Sequence, residues 1–273
     1  MFKYALVISY VGTQFCGWQK QKGADLNKPS IQETLENAIQ QMVGEKISVV
    51  GSGRTDAGVH AAGQVAHFLF KDQSWDPGIL QRGLNGILPI SIRVLSVTPI
   101  GLEFHAQRSA EKKQYSYYFQ QGPCALPHLE PFSWWIRKEL DLQAMSTALG
   151  HLVGEHDFKP FQASGAKPGP TIRTILEAGV TLEPIPFPIG FPLNGLTQTQ
   201  RVGLVRVRVM GTGFLKQMVR GIAGTLLQVG EGRRPASCTL EILETQSRSK
   251  VGPTAPARAL WLEQVWYPLT FQP

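Results

Sequence analysis

Residues 46–70 read KISVVGSGRTDAGVHAAGQVAHFLF. The apolar runs at 46–50 and 64–70 are typical of buried strands. Between them, glycines and alanines surround one guanidinium, that of Arg54, and one carboxylate, that of Asp56. Small residues let a ligand or a second backbone approach closely. The stretch therefore predicts two strands joined by a loop that presents both charged groups to a substrate.

The elements on both sides of this stretch combine helices with alternating strands. Ser30 and Glu33 have the spacing of a capping box, and apolar residues then recur at helical intervals as far as Gly44, which predicts a helix. This order predicts an α+β fold, with helices packed on one side of a largely antiparallel central sheet. By the same criteria we expect helices at 77–87, 142–153, 214–229 and 238–246, strands at 3–10, 91–98, 112–121, 201–210 and 259–266, and a long proline-rich loop at 184–200.

The net charge of +7 is concentrated near the end of the chain. Residues 201–273 hold 10 Lys and Arg against 4 Asp and Glu, a balance of +6, whereas residues 1–100 and 101–200 have balances of +2 and −1. A basic surface is expected where a protein meets nucleic-acid backbone, although surface lysines and arginines also serve solubility alone. A composition of 42% hydrophobic and 17% charged residues is that of a folded chain and excludes intrinsic disorder.

The cysteines and the apolar runs indicate the compartment. Cys16, Cys124 and Cys238 are widely separated, so neither a disulfide framework nor a thiolate zinc site is expected. The N-terminal residues are typical of a first strand rather than a signal peptide. No apolar run approaches the roughly 18 residues of a membrane helix. We therefore expect a cytoplasmic protein that does not bind membranes.

Asp56 is the strongest candidate for chemistry. In an extended segment Arg54 and Asp56 project to the same side, and a nearby cation favours the ionised carboxylate that acts as a nucleophile. The residues alone leave open a glycine-rich turn whose aspartate caps a helix or bonds its own backbone. His60, His67 and His105 with Asp56 match no metal-ligand spacing, so no metal is expected. No hydrolase-type Gly-x-Ser-x-Gly elbow is present.

The segment Gly53-Arg54-Thr55-Asp56-Ala57-Gly58-Val59-His60 resembles the signature of the tRNA pseudouridine synthase A family. The similarity extends from near residue 4 to residue 268, and its blocks occur in the family's order. Three positions depart from the family pattern: Val11 replaces the usual Asp, Cys16 the usual His or Tyr, and Gln107 the usual Arg. The other matching blocks are Tyr10–Gly12 with Phe15–Gln19, Asn85 with Leu88 and Pro89, Phe104–Ala106 with Ser109, Ala110 and Tyr115–Tyr117, Gly154–Phe158 with Phe161 and Arg173–Ile175, Phe214 with Met218–Arg220, and Thr254–Pro256 with Ala259–Pro268.

The resemblance implies a fold and a division of the chain. The expected fold is that of pseudouridine synthases, with two similar α/β halves. Residues 1–105 would carry the aspartate loop. The basic residues 106–273 would complete the active-site cleft.

The resemblance also implies an activity: isomerisation of uridine to pseudouridine in the anticodon stem-loop of tRNA, at positions 38 to 40, by a homodimer that needs no cofactor. Asp56 would be the nucleophile, attacking either the ribose or the pyrimidine ring, and Arg54 would hold the flipped nucleotide or fill its vacated space. Tyr115 would stack on the base, Arg220 would pair with Asp56, and Leu262 would line the pocket. The alternative is a non-catalytic tRNA-binding protein or RNA chaperone on the same fold.

Overall fold

The computed structural model describes residues 1–20, 28–166, 168–184, 203–271 and 273. The chain divides into two compact units. The first unit comprises Met1–Gln114 and Trp261–Pro273, and the second comprises Tyr115–Leu260. The halves expected from the sequence, 1–105 and 106–273, divide the chain differently, since the C-terminal segment here groups with the N-terminal residues.

The secondary structure mixes strands and helices along the whole chain. The described strands are β1 (Phe2–Tyr10), β2 (Val50–Gly51), β3 (His60–Phe70), β4 (Ile92–Ile100), β5 (Lys112–Gln121), β6 (Trp134–Ile136), β7 (Gly154–Asp157), β8 (Ile172–Glu183), β9 (Gly203–Gly211) and β10 (Leu260–Trp266). The described α-helices are α1 (Ile31–Val43), α2 (Pro77–Ile87), α3 (Leu142–Gly150), α4 (Met218–Gly230) and α5 (Cys238–Thr245).

In the first unit the strands are ordered β4-β1-β3-β10, and β2 pairs with β3. Strand β1 runs antiparallel to both β3 and β4. Strand β10 instead runs parallel to β3, with Trp261 opposite His60 and Leu262 opposite Ala61. Alternate residues of β1, from Tyr4 to Tyr10, are buried and form part of the core of this unit.

In the second unit the strands are ordered β5-β9-β8-β7, and β6 pairs with β5. Strand β8 runs antiparallel to β7 and β9, whereas β6 runs parallel to β5. Val205, Val207 and Val209 of β9 are fully buried, while the intervening arginine side chains stay partly exposed. The predicted α+β class with mostly antiparallel strand pairing is confirmed.

Helix termini agree with the sequence where a side chain caps them. Ser30 accepts a hydrogen bond from the Glu33 backbone N–H, as the capping box predicts. Helix α4 begins four residues later than predicted, at Met218, because Gln217 adopts a left-handed conformation with φ 61°. Among the described residues no helix combines the length and the apolar character needed to cross a membrane. All but the first residue of the predicted 184–200 loop lies outside the described residues.

The predicted strand at 46–50 is wrong in extent, because β2 contains only Val50 and Gly51. Two side chains of α1 explain the difference. The Val49 backbone N–H donates to Glu36 Oε1 at 3.1 Å, and its carbonyl accepts from Gln32 Nε2 at 3.0 Å. Both backbone groups of Val49 are therefore bonded to the helix rather than to a neighbouring strand.

Candidate active site

Asp56 lies in the loop between β2 and β3, partly buried, while Arg54 is exposed. The residue between them, Thr55, is buried and anchors the loop. Its Oγ1 shares a hydrogen bond of 2.8 Å with the Tyr10 hydroxyl, and its carbonyl accepts from the Trp18 backbone N–H at 3.0 Å. Burial raises the pKa of Tyr10 to about 12, so this hydroxyl remains protonated at neutral pH.

Gly17 brings a second piece of backbone directly against the loop. Its φ of +106° is one that residues with a β-carbon rarely adopt, and a β-carbon there would lie 2.7 Å from the Thr55 carbonyl oxygen. The contact explains the glycine in the sequence Gly17-Trp18-Gln19. The N-terminal motif thus packs directly against the Asp56 loop.

Hydrogen bonds of two buried side chains hold the part of the loop that precedes Arg54. The Ser52 hydroxyl donates to Gln64 Oε1 at 2.6 Å, and Gln64 Nε2 donates to the Gly53 carbonyl at 3.0 Å. Neither Ser52 nor Gln64 is exposed to solvent. Because buried hydrogen bonds of this kind are costly to leave unmade, the backbone entering Arg54-Thr55-Asp56 is held in one position.

Lys113 also contacts the loop, and the sequence reasoning missed it. Its Nζ donates to the Ser52 carbonyl at 2.6 Å. Burial lowers the pKa of Lys113 to about 8, because desolvation disfavours the charged ammonium. One sequence feature could have identified Lys113 as a site residue. It is two residues from Tyr115 in β5, so both project to the same face of the strand.

Arg54 is oriented by a side chain rather than by the backbone. Its Nε donates to Gln19 Oε1 at 3.0 Å. Gln19 lies in the N-terminal block of the resemblance, but its contact with Arg54 was not anticipated. The arrangement places an exposed cation two residues before a partly buried carboxylate.

Leu262 lies on β10 opposite Ala61, just after the Asp56 loop, and is fully buried. In the same strand pair His60 stacks on Trp261, with ring centroids 4.5 Å apart, and its Nδ1 accepts from the Gly12 backbone N–H at 3.1 Å. His60 is thus a packing residue here. The described residues contain no group of three His, Cys, Asp or Glu side chains arranged to hold a metal ion.

In the second unit, Tyr115 is 8% exposed. Its ring packs edge-to-face on Phe214, with centroids 5.1 Å apart. This geometry stabilises aromatic pairs and fixes the orientation of the tyrosine ring. Phe214 precedes α4 and belongs to the same block of the resemblance as Arg220.

Arg220 is the third residue of α4 and is half-buried. Its Nε donates to the Ala255 carbonyl at 2.7 Å, and its own carbonyl accepts from the Ala255 N–H at 3.1 Å. One turn further, a β-carbon on Gly224 would lie 1.7 Å from the Pro253 carbonyl oxygen, so only glycine permits this approach. Close backbone packing therefore fixes Arg220, which differs from an ordinary solvated helix arginine.

Comparison with known proteins agrees with these features. A family model described as tRNA pseudouridine synthase matches residues 6–107 and 148–268. The chain is 38% identical to tRNA pseudouridine synthase A of Myxococcus xanthus, over 98% of this chain and 92% of that protein. It is 41% identical to the protein of that name from Chlamydia muridarum, over 97% and 92% of the two chains. For that of Ruminiclostridium cellulolyticum the identity is 37%, over 98% of this chain and all of the relative. The chain therefore belongs to the tRNA pseudouridine synthase family.

Proposed function

We propose that this protein isomerises uridine to pseudouridine in tRNA, with Asp56 as the nucleophile. The observation that carries the proposal is the setting of Asp56. Its carboxylate is partly exposed, yet Thr55 beside it is anchored through Tyr10 and Trp18. A nucleophile whose neighbouring backbone is anchored has less conformational freedom to lose when it meets its target, which lowers the barrier to attack.

The reaction needs no second substrate. The bond between uracil N1 and ribose C1′ breaks, and a bond between uracil C5 and C1′ forms. The proton on C5 leaves and N1 gains a proton, so the product is an isomer of the reactant. Asp56 forms a transient covalent bond to either the ribose or the pyrimidine ring, as carboxylates do in other glycosyl transfers.

The other expected site residues act on the nucleotide. A uridine within a stem must leave its stack to reach the partly buried Asp56, at a cost of a few kcal/mol. Arg54, exposed within the loop, holds the flipped nucleotide or fills its space. Tyr115 stacks on the base, which contributes about 1–3 kcal/mol. Arg220 pairs with Asp56, and Leu262 lines the apolar side of the pocket.

The remaining expectations from the family resemblance belong to the same proposal. The substrate region is the anticodon stem-loop, at positions 38 to 40. The protein acts in the cytoplasm as a homodimer without a cofactor. Its helices cover one side of the sheet, and its two α/β halves have similar folds.

The test uses tRNA labelled with tritium at C5 of uridine. Formation of the C5–C1′ bond releases this tritium to water, whereas binding alone releases none. We expect release from an anticodon arm with uridines at 38 to 40 and none when those uridines are replaced by cytidines. Binding without release would instead support the tRNA-binding or RNA-chaperone alternative. Release from the cytidine-substituted arm would refute the positional assignment.

A further inference from the structure

A chain of side-chain hydrogen bonds leads from α1 to Arg54. Glu36 Oε1 accepts from Gln32 Nε2 at 3.1 Å, Gln32 Oε1 accepts from Gln19 Nε2 at 2.6 Å, and Gln19 Oε1 accepts from Arg54 Nε at 3.0 Å. Glu36 and Gln32 lie in α1, whereas Gln19 lies in the N-terminal segment. Their hydrogen bonds connect these two segments to the guanidinium of Arg54 in the Asp56 loop.

The α1 end of this series of hydrogen bonds determines which side-chain atoms donate and which accept. Gln32 Nε2 faces two acceptors, the Glu36 carboxylate and the Val49 carbonyl, which can accept but not donate. Its amide oxygen must therefore point the other way, where it accepts from both Gln19 Nε2 and the Lys20 backbone N–H at 3.0 Å. All four hydrogen-bonding positions of the Gln32 amide are occupied.

The fixed amide of Gln32 determines the orientation of Gln19 in turn. Because Gln32 presents an oxygen, Gln19 must present its NH₂ to it, and its own oxygen is left facing Arg54. An oxygen in that place accepts from a guanidinium, whereas an amide NH₂ would repel it. The carboxylate of Glu36, three hydrogen bonds away, thus ensures that the exposed Arg54 faces an acceptor.

We infer that Gln19 is a positioning residue for Arg54 in the reaction, oriented for that role by Gln32 and Glu36. The inference rests on the proposed function, since it assigns Gln19 a part in placing the arginine that holds the flipped nucleotide. An acceptor on Nε restrains the plane of the guanidinium, and N–H groups of its terminal nitrogens can then donate to an incoming phosphate or base. In the absence of this bond the long, exposed side chain samples many rotamers.

A double-mutant cycle distinguishes positioning from a general structural effect. The variants are Gln19→Met, Arg54→Met and the double substitution, with tritium release giving kcat and KM for tRNA. We expect Gln19→Met to lower kcat about tenfold, in line with loss of a charge-assisted hydrogen bond at a reacting site. KM should change less than about twofold. In the Arg54→Met background, adding Gln19→Met should change kcat less than about twofold.

The matched control is Gln14→Met, which removes an exposed glutamine of the same N-terminal segment and should leave kcat unchanged. Gln19→Asn is a second variant, which keeps the amide but is one methylene too short to reach both neighbours, and it should show the same Arg54-dependent loss. Equal kcat for Gln19→Met and Gln14→Met would overturn the inference, as would independent, multiplying losses in the double variant. Absence of release by the unsubstituted protein would instead refute the proposed function itself.

Discussion

The two arginines expected at the site, Arg54 and Arg220, are held in contrasting ways. Arg220 lies half-buried in the first turn of α4 and exchanges two hydrogen bonds with the Ala255 backbone. Arg54 is exposed, and its Nε donates a hydrogen bond to the side chain of Gln19. One arginine is thus fixed by the fold around it, and the other by a neighbouring side chain.

The contrast separates what each arginine contributes. A cation fixed by backbone packing is part of the fold, so its removal costs stability as well as activity. A cation fixed by an exposed side-chain contact contributes little to stability, because exposed polar contacts are weak in water. Its removal should affect the reaction alone.

The largest effect is expected for Arg220→Met. Loss of Nε leaves the carbonyl of the buried Ala255 without this donor, and we expect the free energy of unfolding to fall by about 1–3 kcal/mol. Pseudouridine formation should fall below detection. Urea unfolding and tritium release measure the two effects. Arg233→Met, which changes an exposed arginine three residues beyond the end of α4, is the control and should retain both properties. An Arg220→Met protein with unchanged stability would remove the distinction between the two arginines.

Arg54→Met should affect activity without affecting stability. We expect kcat to fall about a hundredfold, as for loss of a group that positions the reacting nucleotide, and the free energy of unfolding to change by less than about 0.5 kcal/mol. The exposed Arg82→Met in the same unit is the control. A destabilisation as large as that of Arg220→Met would show that Arg54 is also a structural residue.

Lys113 is a third cation near the site. The pH dependence of the free energy of unfolding distinguishes it from the two arginines. Burial lowers its pKa to about 8 from an ordinary value of 10.5. Between these values the unfolded chain binds more protons at this lysine than the folded protein does, so its contribution makes stability rise with pH. From pH 8 to 9.5, below the range in which Tyr10 titrates, we expect the unfolding free energy of the unsubstituted protein to rise by about 1–2 kcal/mol relative to Lys113→Met.

The measurement for Lys113 is urea unfolding at several pH values in that range. Lys46→Met removes an exposed lysine and should keep the pH dependence of the unsubstituted protein. Parallel stability curves for the unsubstituted protein and Lys113→Met would contradict the lowered pKa.

The sequence predicted most regular elements because their signals are local. Helix α2 (Pro77–Ile87) and strand β5 (Lys112–Gln121) have the predicted bounds, and the Ser30 cap of α1 is confirmed. Patterns of apolar residues and caps involve only neighbours in sequence, so they can be read directly.

The errors and omissions involve contacts between distant residues. The strand at 46–50 was too long because Gln32 and Glu36 bind Val49, and periodicity cannot reveal a helix side chain that replaces a strand partner. Lys113 and Gln19 were missed as contacts of the Asp56 loop for the same reason. The resemblance identified Asp56 and its neighbours as candidates, but it did not contain the hydrogen bonds that hold them.

The most direct test of Asp56 as the nucleophile is tritium release by Asp56→Asn, compared with Asp72→Asn, which changes an exposed aspartate of the same unit. The asparagine keeps the size of the side chain but cannot form the covalent bond as a carboxylate does. We expect Asp56→Asn to bind tRNA as tightly as the unsubstituted protein and to release no tritium above background, while Asp72→Asn keeps full activity. Release by Asp56→Asn at the rate of Asp72→Asn would contradict a nucleophilic role for Asp56.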